Sequence, residues 1–549
     1  MFEPGVFSGT TTFTWQNAGE AHVTLTNGQS GSDLDNNILY TNADLNTLGQ
    51  VMGNVSLTIT GTSHIVGDVY GGGALSDANS DDTKTTTVNI LDGTYDGNIY
   101  GGGQGRLADV DNDIDAVAAK VNGVVTVNIG SIDGEGNVSG NATLRSSSVF
   151  GCNNINGSPQ ADVFVNVYKA AQSDGVNTVA DDGYAIDQVF GGGNAADYAP
   201  AGSNKATVHV YTCYNTIRRV FGGGNAAAAR EVMTIVDGGR FDWVYGGGNG
   251  EVTAANIVGD VTLEVNGGTI DHLLNGSNHS GTNGGTITAT ITNESGCGTG
   301  DDVIEEYFCG NNEAPIGASG LTTTIACSPL KTPAHIVNLY GGSNQASIDG
   351  PVTLNLYGGH IDNVYAGSKG TNEIAANISG DVTLNLYGGT VGNAFGGCDV
   401  NGAISGLITV NVFENSDCPL VVTNVYGGGN NAAYAPTFAV GAGEKRIAPR
   451  VNILKGRVNN DVFGGGLGAS ATVTANPKVV VGEEVESTTY RCTVGGNLFG
   501  GGSQAAVNGD TEVHLLNKSF IKGNVYGGGN EATVDGDTKV IVNGVPITP

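Results

Sequence analysis

Gly380-Asp381-Val382-Thr383-Leu384-Asn385-Leu386-Tyr387-Gly388-Gly389-Thr390-Val391-Gly392-Asn393-Ala394-Phe395-Gly396-Gly397 is the stretch whose reading decides the fold. Val382, Leu384 and Leu386 alternate with Thr383 and Asn385, so an extended segment has one apolar and one polar face. A glycine pair closes that segment; a second short segment ends in an aromatic and more glycines. The unit reads as two strands and two corners. The alternation recurs at Val125, Val127 and Ile129, at Val261, Leu263 and Val265, at Val352, Leu354 and Leu356, and at Val513 and Leu515. One narrow apolar face cannot fold alone, so stacking of copies must complete the core.

The corner aromatic marks the copies. It falls at Tyr70, Tyr100, Phe150, Phe190, Phe221, Tyr245, Phe308, Tyr340, Tyr365, Phe395, Tyr426, Phe463, Phe499 and Tyr526, with Leu274 filling the one gap. Leu39-Tyr40, 30 residues before Tyr70, reads as a degenerate capping turn. The shortest interval is 24 residues (Phe221 to Tyr245) and the longest 50 (Tyr100 to Phe150), so surplus chain is extruded as loops. The expected excursions are Asp109 to Ser148, Ala195 to Lys205, Asn278 to Pro333, Ala432 to Arg450 and Lys478 to Cys492, and a face carrying several of them is the natural place for binding.

These features predict an all-β chain: a single-stranded parallel β-helix, or β-solenoid, of about 15–16 coils. It is right-handed by the general preference of parallel crossovers. At about 4.8 Å per coil the stack is roughly 70 to 75 Å long. Residues 1–39 read as an N-terminal cap with first strands, 40–544 as one continuous solenoid with loop insertions, and 545–549 as a tail.

Glycine, 91 residues of 549, is read mechanically: tight corners need positive φ or close backbone contact. Nine Gly-Gly-Gly runs repeat at one position, without a Gly-x-x-x-x-Gly-Lys-Ser/Thr motif or a strand-helix setting, which speaks for architecture over phosphate binding. Asn154, Asn194, Asn225, Asn249, Asn278, Asn312, Asn344, Asn430 and Asn530 follow the glycines, where stacked amides can hydrogen-bond from coil to coil. The preceding aromatics are expected inside and stacked, rather than as an outward sugar-binding strip.

With 53 acidic against 22 basic side chains the formal charge is −31, which repels a phosphate backbone and excludes nucleic acid as a natural partner. No apolar stretch reaches the roughly 18 to 20 residues of a membrane span, and Met1-Phe2-Glu3-Pro4-Gly5 does not read as an export signal. Eight cysteines lie apart without a CxxC pair, so zinc on thiolates is unsupported, while buried thiols and disulfides stay open. Cys152, Cys309 and Cys398 sit at corner glycine positions.

Candidate chemistry is thin. Asp109, Asp111, Asp113 and Asp115 alternate in a way that can converge on a calcium ion, although Ile114 and Lys120 stand where an EF-hand needs glycine and glutamate. Asp301, Asp302, Glu305 and Glu306 form an acidic cluster, and Arg218 and Arg219 precede Phe221; a solvated excursion and a charged strand edge are the simpler readings. The eight histidines are scattered over different coils. No residue is assigned a catalytic role.

The Gly-Asp-Val-Thr-Leu-x-Leu-x-Gly-Gly and Val-Tyr-Gly-Gly-Gly-Asn signatures, from Tyr40 to Asn543, resemble bacterial cell-surface and secreted right-handed β-helix repeat proteins, adhesin-like chains among them. The resemblance implies a secreted or surface location. It implies a noncatalytic structural or adhesive role: a stalk, adhesin or filament component. The partners would be a glycan, a cell-surface or matrix protein, or a further copy stacked end to end. Others of that fold are polysaccharide lyases, hydrolases and tailspikes, and a carbohydrate-active chain is the alternative expectation.

Overall fold

The computed structural model describes residues 11–13, 50–112, 114–171, 183–294, 302–483, 492–543 and 545–547. Among them the only helical segment is a single 3-10 turn, Val110–Asn112, and no helix is long and apolar enough to cross a membrane. The chain is an all-β parallel solenoid. It divides into two compact units, Met1–Glu264 with Ser277–Ile287, and Val265–Gly276 with Thr288–Pro549.

In the first unit one sheet runs through Val55–Ile59, Thr85–Ile90, Val124–Ile129, Val163–Val167, Ala206–Val210 and Val232–Val236, each strand parallel to the next. A second sheet runs through Val69–Tyr70, Ile99–Tyr100, Leu144–Phe150, Ile186–Phe190, Thr216–Phe221 and Arg240–Tyr245. The second unit repeats the plan. Its first sheet includes Leu321–Ile325, Val352–Leu356, Val382–Leu386, Ile408–Phe413 and Arg450–Val458. Its second includes Thr269–Leu274, Val303–Phe308, His335–Tyr340, His360–Tyr365, Gly389–Phe395 and Leu420–Tyr426.

Each coil has a third side that the two-strand reading of the repeat lacks. Single parallel bridges join Ile316, Ile348, Ile378 and Ile404 in one column, and Tyr434, Val473, Val507 and Val534 in another. One bridged residue per coil is too short to show a period of two, so alternation cannot reveal it. Two expected excursions also turn out to contain sheet, Leu321–Ile325 within 278–333 and Lys478–Val481 within 478–492, while Val124–Ile129, inside 109–148, is the strand read from Val125, Val127 and Ile129. In Leu321–Ile325, threonines hold three of the five positions and blur the apolar pattern. The edge of Thr538–Val542 is paired antiparallel by Val545–Ile547, so the chain itself covers that strand. Leu39-Tyr40 and nearly all of the expected cap lie outside the described residues.

First-sheet strands alternate inward and outward as read, and Val352, Leu354, Leu356, Val382, Leu384 and Leu386 are fully buried. Each such side chain contributes about 1.5 to 3 kcal/mol relative to exposure. Second-sheet strands break the alternation: in His360–Tyr365 both Val364 and Tyr365 are buried. This places the corner aromatic inside. From Tyr70 to Tyr245 the rings stack at 4.6 to 4.9 Å; from Phe308 to Tyr526 they stack at 4.7 to 5.0 Å. A sugar-binding strip at this position is excluded by burial, Tyr526 at 43% exposure being the clear exception.

The glycines divide their two tasks between the corners. Gly268, Gly359 and Gly389, second members of the pairs ending first-sheet strands, have φ of +105°, +102° and +97°. The triple runs act through close approach: a Cβ on Gly427 would lie 2.3 Å from the carbonyl oxygen of Gly464 one coil on. Beside them the corner asparagines form the expected ladder. Asn194 donates to Asn154, Asn225 to Asn194, Asn249 to Asn225 and Asn278 to Asn249, at 2.7 to 2.9 Å. Part of the acidic excess is structural as well. The carboxylates of Asp162, Asp260, Asp381 and Asp510 accept the backbone N–H of Lys205, Thr286, Leu407 and Asp537 on the following coil, at 2.8 to 2.9 Å.

Two stability outcomes follow from these contacts. Gly427→Ala should lower stability by about 1 to 3 kcal/mol through overpacking, whereas Gly528→Ala, with nothing within 4 Å of its Cβ position, should leave thermal melting nearly unchanged. Asn249→Ala, at a position 2% exposed, strands the Asn225 acceptor and the Asn278 donor and should cost about 1 to 3 kcal/mol in chemical denaturation.

Candidate functional site: a groove under a disulfide strap

The outward faces of the second unit are mostly committed to the fold. On the first sheet Asn355, Asn385, Asn411 and Asn452 lie in register, and each of the last three donates its amide to the one before at 2.8 to 2.9 Å. On the second sheet Asn338, Asn363, Asn393 and Asn424 do the same at 2.9 to 3.1 Å. A β-helix that cleaves polysaccharide needs convergent carboxylates or a base on such a face. Along these columns it carries neutral amides turned toward each other.

A different surface is built where the first sheet ends. The Leu-Tyr-Gly-Gly corner puts Tyr357 and Tyr387 one residue beyond the last buried leucine, half-exposed and stacked at 4.6 Å. Lys455 lies with its Nζ 5.9 Å from the Phe413 ring centroid. Across this strip runs the segment 414–419, tied down by the Cys327–Cys418 disulfide, whose Cα atoms are 5.8 Å apart and whose cysteines are 91 residues apart in sequence. The strap is held at several further points. Ser416 Oγ donates to the Tyr357 carbonyl at 2.7 Å, Asn415 N donates to the Tyr387 carbonyl at 2.9 Å, and Glu414 N donates to the Lys455 carbonyl at 3.0 Å. Gly388 permits the crossing, since a Cβ there would come within 2.4 Å of the carbonyl oxygens of both Cys418 and Tyr357.

Between strap and sheet lies a cavity of about 620 Å³, lined by Thr324, Tyr357, Glu414, Asn415, Asp417 and Lys455 among others. Glu414 spends one carboxylate oxygen on the Leu420 N–H at 3.3 Å. Burial, and after it the neighbouring Tyr357, pushes the Tyr387 phenol above its ordinary range, so it stays a neutral hydroxyl. An aromatic flank with hydroxyl, amide, carboxylate and ammonium groups in reach suits a polyhydroxylated ligand. The strip was readable as tyrosine following leucine in two consecutive Leu-Tyr-Gly-Gly corners; the disulfide over it was not.

The residues singled out in the sequence are dispersed. Asp109, Asp111 and Asp115 are exposed on an excursion, Asp113 lies outside the described residues, and Asp109 accepts from the Asn112 side chain at 2.7 Å. Arg106 donates to the Asp115 carbonyl. Among the described residues, only His335, His360 and Asp362 bring three metal-ligating side chains together. Their common offsets from Tyr340 and Tyr365 were a legible signal that a scan by sequence neighbours passes over. Of the acidic cluster, Asp301 is outside the described residues, and Glu306 pairs with Lys369 at 2.5 Å and faces His272 at 3.5 Å. Arg218 pairs with Asp187 at 3.4 Å.

Comparison of the chain with known protein families, with curated proteins and with solved structures finds no match.

The corner cysteines Cys152, Cys309 and Cys398, with Cys492, are buried free thiols, while Cys213 is disulfide-bonded. Burial raises the thiols of Cys309 and Cys398 to about 12, that of Cys492 to about 11, and that of Cys152 well above its usual value. At pH 8 on the order of one in a thousand or fewer would be thiolate. Alkylation mapped by peptide mass spectrometry should leave these four unmodified in native protein and label all four after unfolding.

Proposed function

We propose that the chain is a noncatalytic extracellular structural or adhesive solenoid, of the bacterial surface type its repeats resemble, that binds a glycan in the groove under the Cys327–Cys418 strap. The observation that carries this reading is the division of labour on its outward surface. Two columns of side chains are occupied by amide ladders, whereas Tyr357, Asn415, Asp417 and Lys455 surround open space, with Tyr387 stacked on Tyr357 beside it. A disulfide between distant coils fits an oxidising compartment. The acidic balance keeps a glycine-rich β chain soluble there.

A second reading rests on one feature of the groove: Glu414 and Asp417 both line it. A glycoside hydrolase works with two such carboxylates. The commitment of Glu414 to the Leu420 N–H favours binding over turnover.

The test is a glycan panel with the purified chain. Saturable binding to a defined glycan is expected, weakened at least tenfold, about 1.4 kcal/mol, in Tyr357→Ala and Tyr387→Ala, with thermal melting kept near that of the parent. Absence of binding across the panel, or binding indifferent to both variants, would sink the proposal. Release of reducing ends that stops in Glu414→Gln would instead establish the hydrolase.

A further inference from the structure

We propose that His335, His360 and Asp362 form a surface site for a zinc-class transition-metal ion, independent of the groove and of the function proposed for it. The site follows from the register of the repeat. His335 and His360 each lie five residues before a corner aromatic, Tyr340 and Tyr365, and are paired directly across adjacent strands. Parallel pairing at that spacing puts their rings face to face, with centroids 4.7 Å apart and planes 19° apart. Asp362 lies two residues beyond His360. Ile361 between them turns inward, so His360 and Asp362 share the outward face. Two coils thus deliver two imidazoles and one carboxylate to one place.

The geometry suits a small ion. His335 Nε2 and Asp362 Oδ2 are 3.1 Å apart, and the three potential ligand atoms all lie within 4.8 Å of one another. Ligands about 2.0 to 2.1 Å from a tetrahedral ion are roughly 3.3 to 3.4 Å from each other. The His335–Asp362 edge already has nearly that length. The two edges to His360, both within 4.8 Å, close by rotation of its side chain, which is exposed and makes no hydrogen bond or ion pair among the described residues. A His–Asp ion pair alone accounts for His335 and Asp362 but leaves the stacked second imidazole unexplained. Val303 and Thr390 hold the equivalent positions on the flanking strands, so no lysine or arginine occupies that column beside the imidazoles. Two imidazole nitrogens and one carboxylate are a borderline donor set that prefers Zn²⁺ over Ca²⁺ or Mg²⁺. Three protein ligands on an exposed face leave a coordination position open to solvent.

The experiment uses the full chain after chelator treatment. Zn²⁺ titrated calorimetrically should bind with one equivalent at this site, and Co²⁺ should give visible absorption of a low-coordinate ion. His335→Ala, His360→Ala and Asp362→Asn should each weaken binding at least tenfold and remove the Co²⁺ band. His209→Ala, which breaks a plain His–Asp pair, should change neither. Because the side chains are on the surface, the variants should melt at the parent temperature without metal; Zn²⁺ should raise the parent melting temperature but not that of His360→Ala. No saturable Zn²⁺ binding, or binding unchanged in all three variants, overturns the assignment.

Discussion

Everything in this molecule depends on the parallel backbone ladder between consecutive coils. Its hydrogen bonds hold equivalent residues in register about 4.8 Å apart, so whatever a position carries in one coil meets the same position in the next. The ring stacks at 4.6 to 5.0 Å are direct products of that spacing. So are the asparagine columns, because an amide both donates and accepts and can be repeated without end. Valine, leucine and isoleucine at the inward positions repeat equally well. The ladder acts as a filter on composition: side chains that tolerate their own likeness are kept.

The filter also explains how much of the fold was legible. The repeat period, the inward faces of the first-sheet strands and the corner aromatic all follow from position within the copy, and the structure reproduces them. Glycine was legible in kind but not in detail. Sequence says that the corners need it; only coordinates separate the positive φ of Gly359 from the close carbonyl contact of Gly427. The third side was missed because one residue per coil has no alternation, although Ile348-Asp349-Gly350, Ile378-Ser379-Gly380 and Ile404-Ser405-Gly406 spell it just before a first-sheet strand. The groove was largely illegible. Its closure depends on a bridge between Cys327 and Cys418, and eight cysteines admit too many pairings for spacing to choose one.

Charged side chains are where the filter bites. Two like charges about 5 Å apart near a protein surface repel by about 3 kcal/mol, so a column of aspartates cannot replace a column of asparagines. Several acidic residues are accordingly placed where each has its own donor. Asp381 takes the Leu407 N–H and Asp260 the Thr286 N–H. Exceptions inside a column come with partners of their own. Lys369 and Asp399 hold equivalent corner positions on adjacent coils where asparagine is usual. Lys369 turns away to Glu306, while Asp399, 8% exposed, accepts from Tyr340 Oη and Asn430 Nδ2, both at 2.9 Å.

The same reasoning separates scaffold from site. In the second-sheet column His272, Glu306, Asn338, Asn363, Asn393 and Asn424 are in register, and the column changes from ionic to amide at Asn338. Glu306 needs Lys369 from two coils on because its own column supplies only His272 at 3.5 Å. That arrangement is closed: the carboxylate's nearest cation is internal, and the lysine also lies 6.0 Å from the Phe308 ring centroid. The histidines at positions 335 and 360 obey the opposite logic. They repeat a titratable group in adjacent coils, protonation of both would set like charges face to face, and only one of them has a carboxylate in contact. A column that breaks the rule of self-tolerance without an internal remedy is where a ligand from outside has work to do.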